Sequence, residues 1–346
     1  MEAAQSLSSQ ASLHADAPLV AVVTPVYNAA KYFAATLTCV QRQTYPNLVH
    51  VVLDNASTDE TPAIIRSFEG GRVPILTARN AEALPQLPNW NAALRMTPKE
   101  ASFLQWLCAD DLIRRDAIER FVAKAQSDPA ITCVTGWDVV HDRVLPTRLR
   151  DGSDVEEGLS FIERVCRQDD AHFAWQAFFI RWTPDWAEGD FFTPGMPSFD
   201  CEAALRVIAE GKVGFVREPL IYTRHHADTL GRQLSKQRNG LQHFWMLEAA
   251  LRYRERMAPE KRQALERSAK RVLSRFPLWF RLLGAEAAAA QMEDRARSLG
   301  VPIPGADYLY AVLTYPWDFI RTRWIRAASG GGLFAPRLTE EEFTRF

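Results

Sequence analysis

The sequence predicts an α/β fold: a mostly parallel sheet flanked by helices, with a helical extension at the C-terminal end. Three observations predict it. Apolar runs of strand length alternate with segments of helical spacing from Leu19 to Val140. Several of these runs end in a polar residue at the turn into the next helix. From about residue 236 onward the pattern is helical.

In order, "LVAVVTPVYN" (19–28) is a buried strand closed by Pro25 and Asn28. "AAKYFAATLTCVQRQ" carries Phe33, Leu37 and Val40 on one helical face. "LVHVVLDNAS" is a second strand, ending in Asp54, and "TDETPAIIRSFE" is a helix opened by acids. "RVPILTA" is a third strand, "LPNWNAALRM" a helix start and "SFLQWLCA" a fourth strand. "RRDAIERFVAKAQ" is a helix and "AITCVTGWDVV" a fifth strand. Residues 155–225 are less regular. There "SFDCEAALRVIAEGK" reads as a helix beginning near Asp200, and "VGFVREPLIYTRHH" as two short strand pieces around Pro219. Three helical segments follow, "LQHFWMLEAALRYRERM", "EKRQALERSAKRVLSRF" and "AEAAAAQMEDRARSLG".

Composition sets the class. The 346 residues are 47% hydrophobic and 24% charged, enough to bury a sizeable core. Five dispersed cysteines without a C-x-x-C pair suit a reducing compartment and argue against cysteine-ligated zinc. Residues 1–18 lack a basic and an apolar region, so they read as a disordered tail rather than a secretory signal. No run approaches the ~20 apolar residues of a spanning helix. The expected location is therefore cytoplasmic, with any membrane contact peripheral, on the inner face of the plasma membrane. The net charge of −1 is unevenly spread: residues 1–235 carry 22 basic and 30 acidic side chains, and residues 236–346 carry 19 and 12. The last part includes "DYLYAVLTYPWDFIRTRWIR" (307–326), where aromatics alternate with arginines. Two readings are open for it: contact with an anionic membrane surface, or a helix packed on the main domain. "ASGGG" then begins a flexible tail, taken as residues 331–346.

In a parallel sheet, ligands bind beyond the carboxyl ends of the strands. Asn28, Asp54 and the Asp110–Asp111 pair all fall just past such ends, with side chains suited to base, ribose and metal. The pair alone has two readings: a cap on the following helix, or a hold on a metal ion against a phosphate. The first 69 residues contain no glycine, and G-x-x-x-x-G-K-[ST] is absent from the chain. Both facts argue against a nicotinamide dehydrogenase and a P-loop NTPase. A divalent metal held by aspartate is the remaining route to phosphate.

"TPVYNAAKYFAATLTCVQRQTYPNLVHVVLDNASTDET" resembles the opening of a family 2 glycosyltransferase of the GT-A fold. The resemblance continues through "NWNAAL", "WLCADD" and "FDCEAALRVIAEGKVGFVREPLIYTRHH", covering roughly residues 19–228. It implies a GT-A catalytic domain over residues 19–235, followed by a helical C-terminal region over 236–330. It implies an inverting, metal-dependent transferase acting on a nucleotide-sugar donor, most readily a UDP-sugar, and on a glycan or lipid-linked acceptor in a bacterial cell envelope. No nucleic-acid partner is expected.

Residue roles follow from the same resemblance. Pro25, Val26, Tyr27 and Asn28 would border base and ribose, and Asp54 would hydrogen-bond the base, with Ser57 in the nucleotide-sugar set. Asn91 would lie near sugar or diphosphate. Asp110 would face ribose or sugar, and Asp111 would bind Mn²⁺ or Mg²⁺. Asp200 resembles the general base, with Glu202 as its rival. Arg224 and His226 match a late R-x-H element near the diphosphate, with His226 a further metal ligand and the adjacent His225 its rival. The sequence departs from the family pattern at Cys108, Asn55 and Phe199, where acids are frequent. Those departures keep a non-catalytic nucleotide-sugar binder as an alternative. A sugar nucleotidyltransferase, with the same α/β plan, is the other.

Overall fold

A computed structural model of the chain describes residues 17–146, 152–166, 177–196, 198–226, 242–282, 284, 286–303, 313 and 336–345. Ten strands form one sheet. They are β1 (Val20–Val26), β2 (Leu48–Asp54), β3 (Ile75–Arg79), β4 (Phe103–Trp106), β5 (Leu112–Ile113), β6 (Ile131–Val140), β7 (Arg143–Leu145), β8 (Val155–Glu157), β9 (Phe179–Arg181) and β10 (Lys212–Thr223). The helices are α1 (Phe33–Gln41), α2 (Thr61–Ser67), α3 (Gln86–Arg95), α4 (Ala117–Gln126), α5 (Gly158–Cys166), α6 (Asp185–Glu188) and α7 (Phe199–Ala209). They continue with α8 (Gln242–Leu251), α9 (Pro259–Leu282), α10 (Glu286–Ser298) and α11 (Glu340–Arg345).

The sheet order is β3-β2-β1-β4-β9-β6-β10-β5, with β7 added to β6 and β8 to β10. The first half, β3 to β4, is parallel. Strand β9 then runs antiparallel to both β4 and β6. The sheet is thus mixed, with parallel character concentrated where the strand–helix alternation is clearest. Every residue of β1 and β2 is buried, as expected for central parallel strands covered on both faces. Helix α1 buries Phe33, Thr36, Leu37 and Val40, the face that the spacing predicts. Within β2, His50 is fully buried, its Nε2 3.0 Å from Thr24 Oγ1. Burial depresses its pKa to about 3, so the ring is neutral.

Three expectations change. The segment around Pro219 is one strand, β10, and not two pieces; register shifts at Val216, Pro219 and Ile221 absorb the proline that local reading took as a break. The helices of the C-terminal region are no separate body. Leu247, Leu265, Leu273, Ala289 and Met292 join Phe161, Phe178, Cys201 and Ile208 in one core. Glu248 of α8 and Arg295 of α10 lock two of them by a bidentate ion pair at 2.6 and 2.8 Å. The third change concerns residues 336–345, expected within a flexible tail. Phe343 of α11 is 1% exposed and packs with Leu112, Val139, Val144 and Tyr222. Composition after a glycine run suggested flexibility, but two apolar side chains, Leu338 and Phe343, find a docking surface that only the folded sheet creates.

Gly158, at the start of α5, abuts α7: a Cβ there would sit 1.8 Å from the Ile208 carbonyl oxygen. This close approach seats α7, which carries Asp200, against the domain. The aromatic–arginine segment 307–326 lies, apart from Leu313, outside the described residues, as do residues 1–16. Among the described residues no helix is long and apolar enough to cross a membrane.

Candidate active site

The carboxyl ends of β2, β1 and β4 lie side by side, so the loops that leave them share one edge of the sheet. Tyr27, just past β1, is 52% exposed and leaves an aromatic face open at this edge. Asn28 adopts a positive φ of 46°. Its main-chain N–H donates to Ser57 Oγ at 2.9 Å, and its Oδ1 accepts from the Thr58 N–H at 2.8 Å. Ser57 N–H in turn donates to Asp54 Oδ1 at 3.0 Å. The two loops are therefore tied together, and Ser57 serves as a clasp between them. Val26 is buried with Phe33 and Leu37 and faces the core, and Pro25 lies within β1, in register with Leu53.

Asp54 is 2% exposed, and its second oxygen takes Arg79 Nη1 at 2.5 Å. Arg79 is the residue that sequence reading missed. It ends β3 directly across the parallel register from Asp54, and half of its side chain is exposed. An acid at the end of one strand and a base at the end of the next was a visible signal, but only once their register was known. The pair presents a carboxylate and a cation at the edge, a combination suited to a nucleobase. Removing the acid with Asp54→Ala is expected to raise the dissociation constant of UDP about tenfold or more, from loss of a charged hydrogen bond worth about 1.5–3 kcal/mol. Turnover at saturating donor should change far less. Isothermal titration with UDP checks this, and an unchanged dissociation constant contradicts the placement.

The acidic turn follows β4. Asp111 N–H closes it by donating to the Cys108 carbonyl at 3.1 Å. Thr36 Oγ1, from α1, is within hydrogen-bond distance of both the Ala109 and Asp111 carbonyls, at 2.9 Å each. The pair caps no helix: β5 comes next, and α4 begins only at Ala117. The capping reading therefore falls.

From the end of β10, the Arg224 N–H donates to Asp111 Oδ1 at 2.9 Å, and Arg224 Nη1 donates to the Asp110 carbonyl at 2.7 Å. His226 Nε2 lies 3.0 Å from Asp110 Oδ2, and its ring stacks on Tyr32 at 4.3 Å. Arg224 also lies over Tyr32, 5.4 Å from the ring centroid. His225 points elsewhere, pairing its ring with His141 at 4.6 Å. His226 is thus the histidine at the acidic turn. Burial pushes the Asp111 carboxyl well above its usual range, and the Asp110 charge adds to this, while the Arg224 N–H bond opposes it.

Among the described residues no cluster of three His, Cys, Asp or Glu side chains surrounds one point. What the turn offers is two hard oxygen donors with a histidine beside them. A divalent cation such as Mg²⁺ or Mn²⁺ fits that set, because such ions take a few carboxylates and complete their shell with substrate phosphate and water. The buried Asp111 carboxyl, raised by desolvation and then by the Asp110 charge, is the group whose ionisation a cation would favour.

Asp200 sits in the first turn of α7, and Ser198 takes the N-cap position. It does not take the N-cap position; its Oδ1 accepts the neighbouring Cys201 N–H at 2.8 Å. The preceding ring, Phe199, packs edge-on to Trp90 at 5.1 Å, and burial raises the Asp200 carboxyl above its ordinary value. Its charge reaches the site: the Cys108 thiol, raised first by desolvation, is pushed further by Asp111, Asp110 and Asp200. Glu202, the rival, is 4% exposed, accepts from Thr193 Oγ1 at 2.9 Å and faces Arg206 at 3.5 Å. Asn91 is equally committed. Its Nδ2 donates to the Phe192 carbonyl at 2.9 Å and its Oδ1 accepts the Phe192 N–H at 2.8 Å. It pins the loop before α7.

Comparison with known proteins agrees with this architecture. Residues 21–184 match the family model described as glycosyl transferase family 2. WfgD of Escherichia coli, a UDP-Glc:α-D-GlcNAc-diphosphoundecaprenol β-1,3-glucosyltransferase, is 31% identical over 94 residues, 27% of this chain and 36% of WfgD. The chain spans less than half the length of the curated relatives it matches. Among solved structures, S. aureus TarS in complex with UDP superposes with a TM-score of 0.55 at 14% identity, covering 87% of this chain and 92% of that one. The mannosyltransferase PcManGT from Pyrobaculum calidifontis, in complex with GDP-Man and Mn²⁺, gives 0.53 at 19% identity, covering 90% and 83%. At these identities the two structures establish the shared GT-A fold.

Proposed function

We propose, because residues 21–184 match the model of glycosyl transferase family 2, that the protein is a metal-dependent, inverting glycosyltransferase. It moves a sugar from a UDP-sugar to a hydroxyl of a bacterial cell-surface glycan, free or lipid-linked. One observation carries the proposal: the Asp54–Arg79 pair and the paired carboxylates after β4 leave the sheet at one edge. The Asp54–Arg79 end takes the nucleobase, with Tyr27 beside it and the clasp of Asn28 and Ser57 holding the loop. Asp110, Asp111 and His226 would hold the divalent metal. When bound, that cation neutralises charge on the departing diphosphate. Asp200 accepts the proton of the attacking hydroxyl, a contribution of about 10²–10⁴-fold. A single base driving direct attack inverts the anomeric centre.

The donor choice rests on the UDP-Glc in WfgD's name and the UDP bound to TarS, while the GDP-Man bound to PcManGT gives the competing nucleotide. The acceptor choice rests on the lipid-linked sugar in WfgD's name. A place at the inner face of the plasma membrane rests on the aromatics and arginines of residues 307–326.

The test incubates the full chain with UDP- and GDP-sugars, with Mn²⁺, Mg²⁺ or EDTA, and follows released nucleoside diphosphate. Release of UDP from at least one donor, lost in EDTA, is the expected result. Binding without release from any donor, detected as a thermal shift, leaves a non-catalytic binder. Pyrophosphate formed from a nucleoside triphosphate and a sugar phosphate identifies a nucleotidyltransferase instead.

A further inference from the structure

We propose that Glu340, in the C-terminal helix α11, is a positioning residue of the active site: it holds Arg224 in place, and Arg224 holds the Asp110–Asp111 turn. The inference rests on the metal-binding reading of that turn. Glu340 lies 116 positions from Arg224 in sequence, and the fold brings them together. Its carboxylate is bidentate on the guanidinium. Arg224 Nε donates to Oε2 at 3.0 Å, and Nη2 donates to Oε1. The third guanidinium nitrogen, Nη1, is the one on the Asp110 carbonyl, and the main-chain N–H of the same residue is on Asp111 Oδ1. A planar fork held on one side by a carboxylate has little freedom on the other. The chain of bonds therefore runs from α11 through Arg224 to both acidic residues.

Arg224 is 7% exposed, so its cation needs a partner in the folded state.

The scaffold behind Glu340 is built, not incidental. Thr339 and Glu342 form a reciprocal cap on α11: Thr339 N–H donates to Glu342 Oε2 at 2.8 Å, and Glu342 N–H to Thr339 Oγ1 at 3.2 Å. Val144 N–H donates to the Pro336 carbonyl and Leu338 N–H to the Asp142 carbonyl, both at 3.0 Å. Phe343 anchors the helix from below, its ring 5.5 Å from Tyr222 of β10, two residues before Arg224. Strand β10 and helix α11 thus present Arg224 and Glu340 to each other as neighbours on one surface.

The carboxylates that hold a metal depend on their outer partners, and removing one such partner costs about 10–100-fold in metal affinity. The experiment uses the full chain with Glu340→Gln, which is nearly isosteric, Glu340→Asp and, as a control on the exposed side of the same helix, Glu341→Ala. Mn²⁺ affinity is measured by electron paramagnetic resonance with UDP present, and UDP affinity without metal by titration calorimetry. Glu340→Gln is expected to weaken Mn²⁺ at least about tenfold, Glu340→Asp to recover part of it, and Glu341→Ala to match the wild type. Metal-free UDP affinity should hold in Glu341→Ala and fall far less than Mn²⁺ affinity in the Glu340 variants, because the base is bound at the Asp54 end.

Unchanged Mn²⁺ affinity in Glu340→Gln overturns the inference while leaving the metal reading standing. Tighter Mn²⁺–UDP binding also overturns it, and would make Glu340 a competitor of the diphosphate. A parallel loss of metal-free UDP affinity overturns it in favour of general destabilisation. If the wild type binds no Mn²⁺ with UDP present, the metal reading and this inference fall together.

Discussion

Asp111→Asn is expected to abolish the proposed sugar transfer while leaving the fold as stable as before. Transfer should fall by about 10²–10³-fold or more, the usual size of loss when a group stabilising transition-state charge is removed. Raising Mn²⁺ should not restore it. The side chain is 2% exposed and its Oδ1 receives the Arg224 N–H at 2.9 Å. An asparagine of the same shape keeps that acceptor and loses only the charge. The wild-type carboxyl is pushed up by burial and by Asp110, so the metal-free protein gains nothing from ionising it. The melting temperature without metal should therefore stay level or rise. Loss of activity with a level melting curve separates a metal ligand from a structural acid. Full turnover in the variant at saturating Mn²⁺ would remove Asp111 from the mechanism.

Asp200→Asn should keep the donor and lose transfer, by about 10²–10⁴-fold, because the amide fills the same space but takes no proton. The pH profile adds a second signature. Burial raises the Asp200 carboxyl above its ordinary value. A base works only when ionised, so the wild-type rate should fall as pH drops through that raised pKa. The falling limb then stands above the ordinary carboxylate range, and the residual rate of the variant should lack it. Glu202→Gln is the control. Its carboxylate is already engaged by Thr193 and Arg206, so its loss should lower the melting temperature more than the rate at saturating substrates. If Glu202→Gln is the inactive variant and Asp200→Asn transfers sugar, the base has been assigned to the wrong acid.

Much of the chemistry was legible because it rests on local pattern. Strands β1 and β2 announce themselves as unbroken apolar runs, since a central parallel strand is covered on both faces. Asp54 and the Asp110–Asp111 pair could be placed from sequence alone, because a polar residue at the end of such a run must leave the sheet at its carboxyl edge. Less was legible where the deciding partner is distant. The Asp110–Asp111 pair could be a cap or a metal turn until β5 was seen to intervene before α4. Nothing local to Asn91 reveals that both atoms of its amide engage Phe192, 101 positions away. Arg79 was missed because its relation to Asp54 is a strand register, which periodicity does not contain.

The sequence by itself determined the order of elements, the run of strands that form the parallel half of the sheet and the edge at which the acids emerge. These follow from the spacing of apolar residues over a few turns or a few strand positions, and burial of those residues is the dominant driving force of folding. The tertiary structure alone decided which side chain faces which. It placed Arg79 on Asp54, Thr36 under the acidic turn, His226 rather than His225 beside Asp110, and Glu340 on Arg224. It also turned residues 336–345 from an expected loose tail into a docked helix. The reason is physical. A hydrogen bond or ion pair adds only about 1 kcal/mol net and leaves no trace in composition. Its partners are chosen by packing that brings together residues from 25 to 116 positions apart, and that packing is a property of the whole fold.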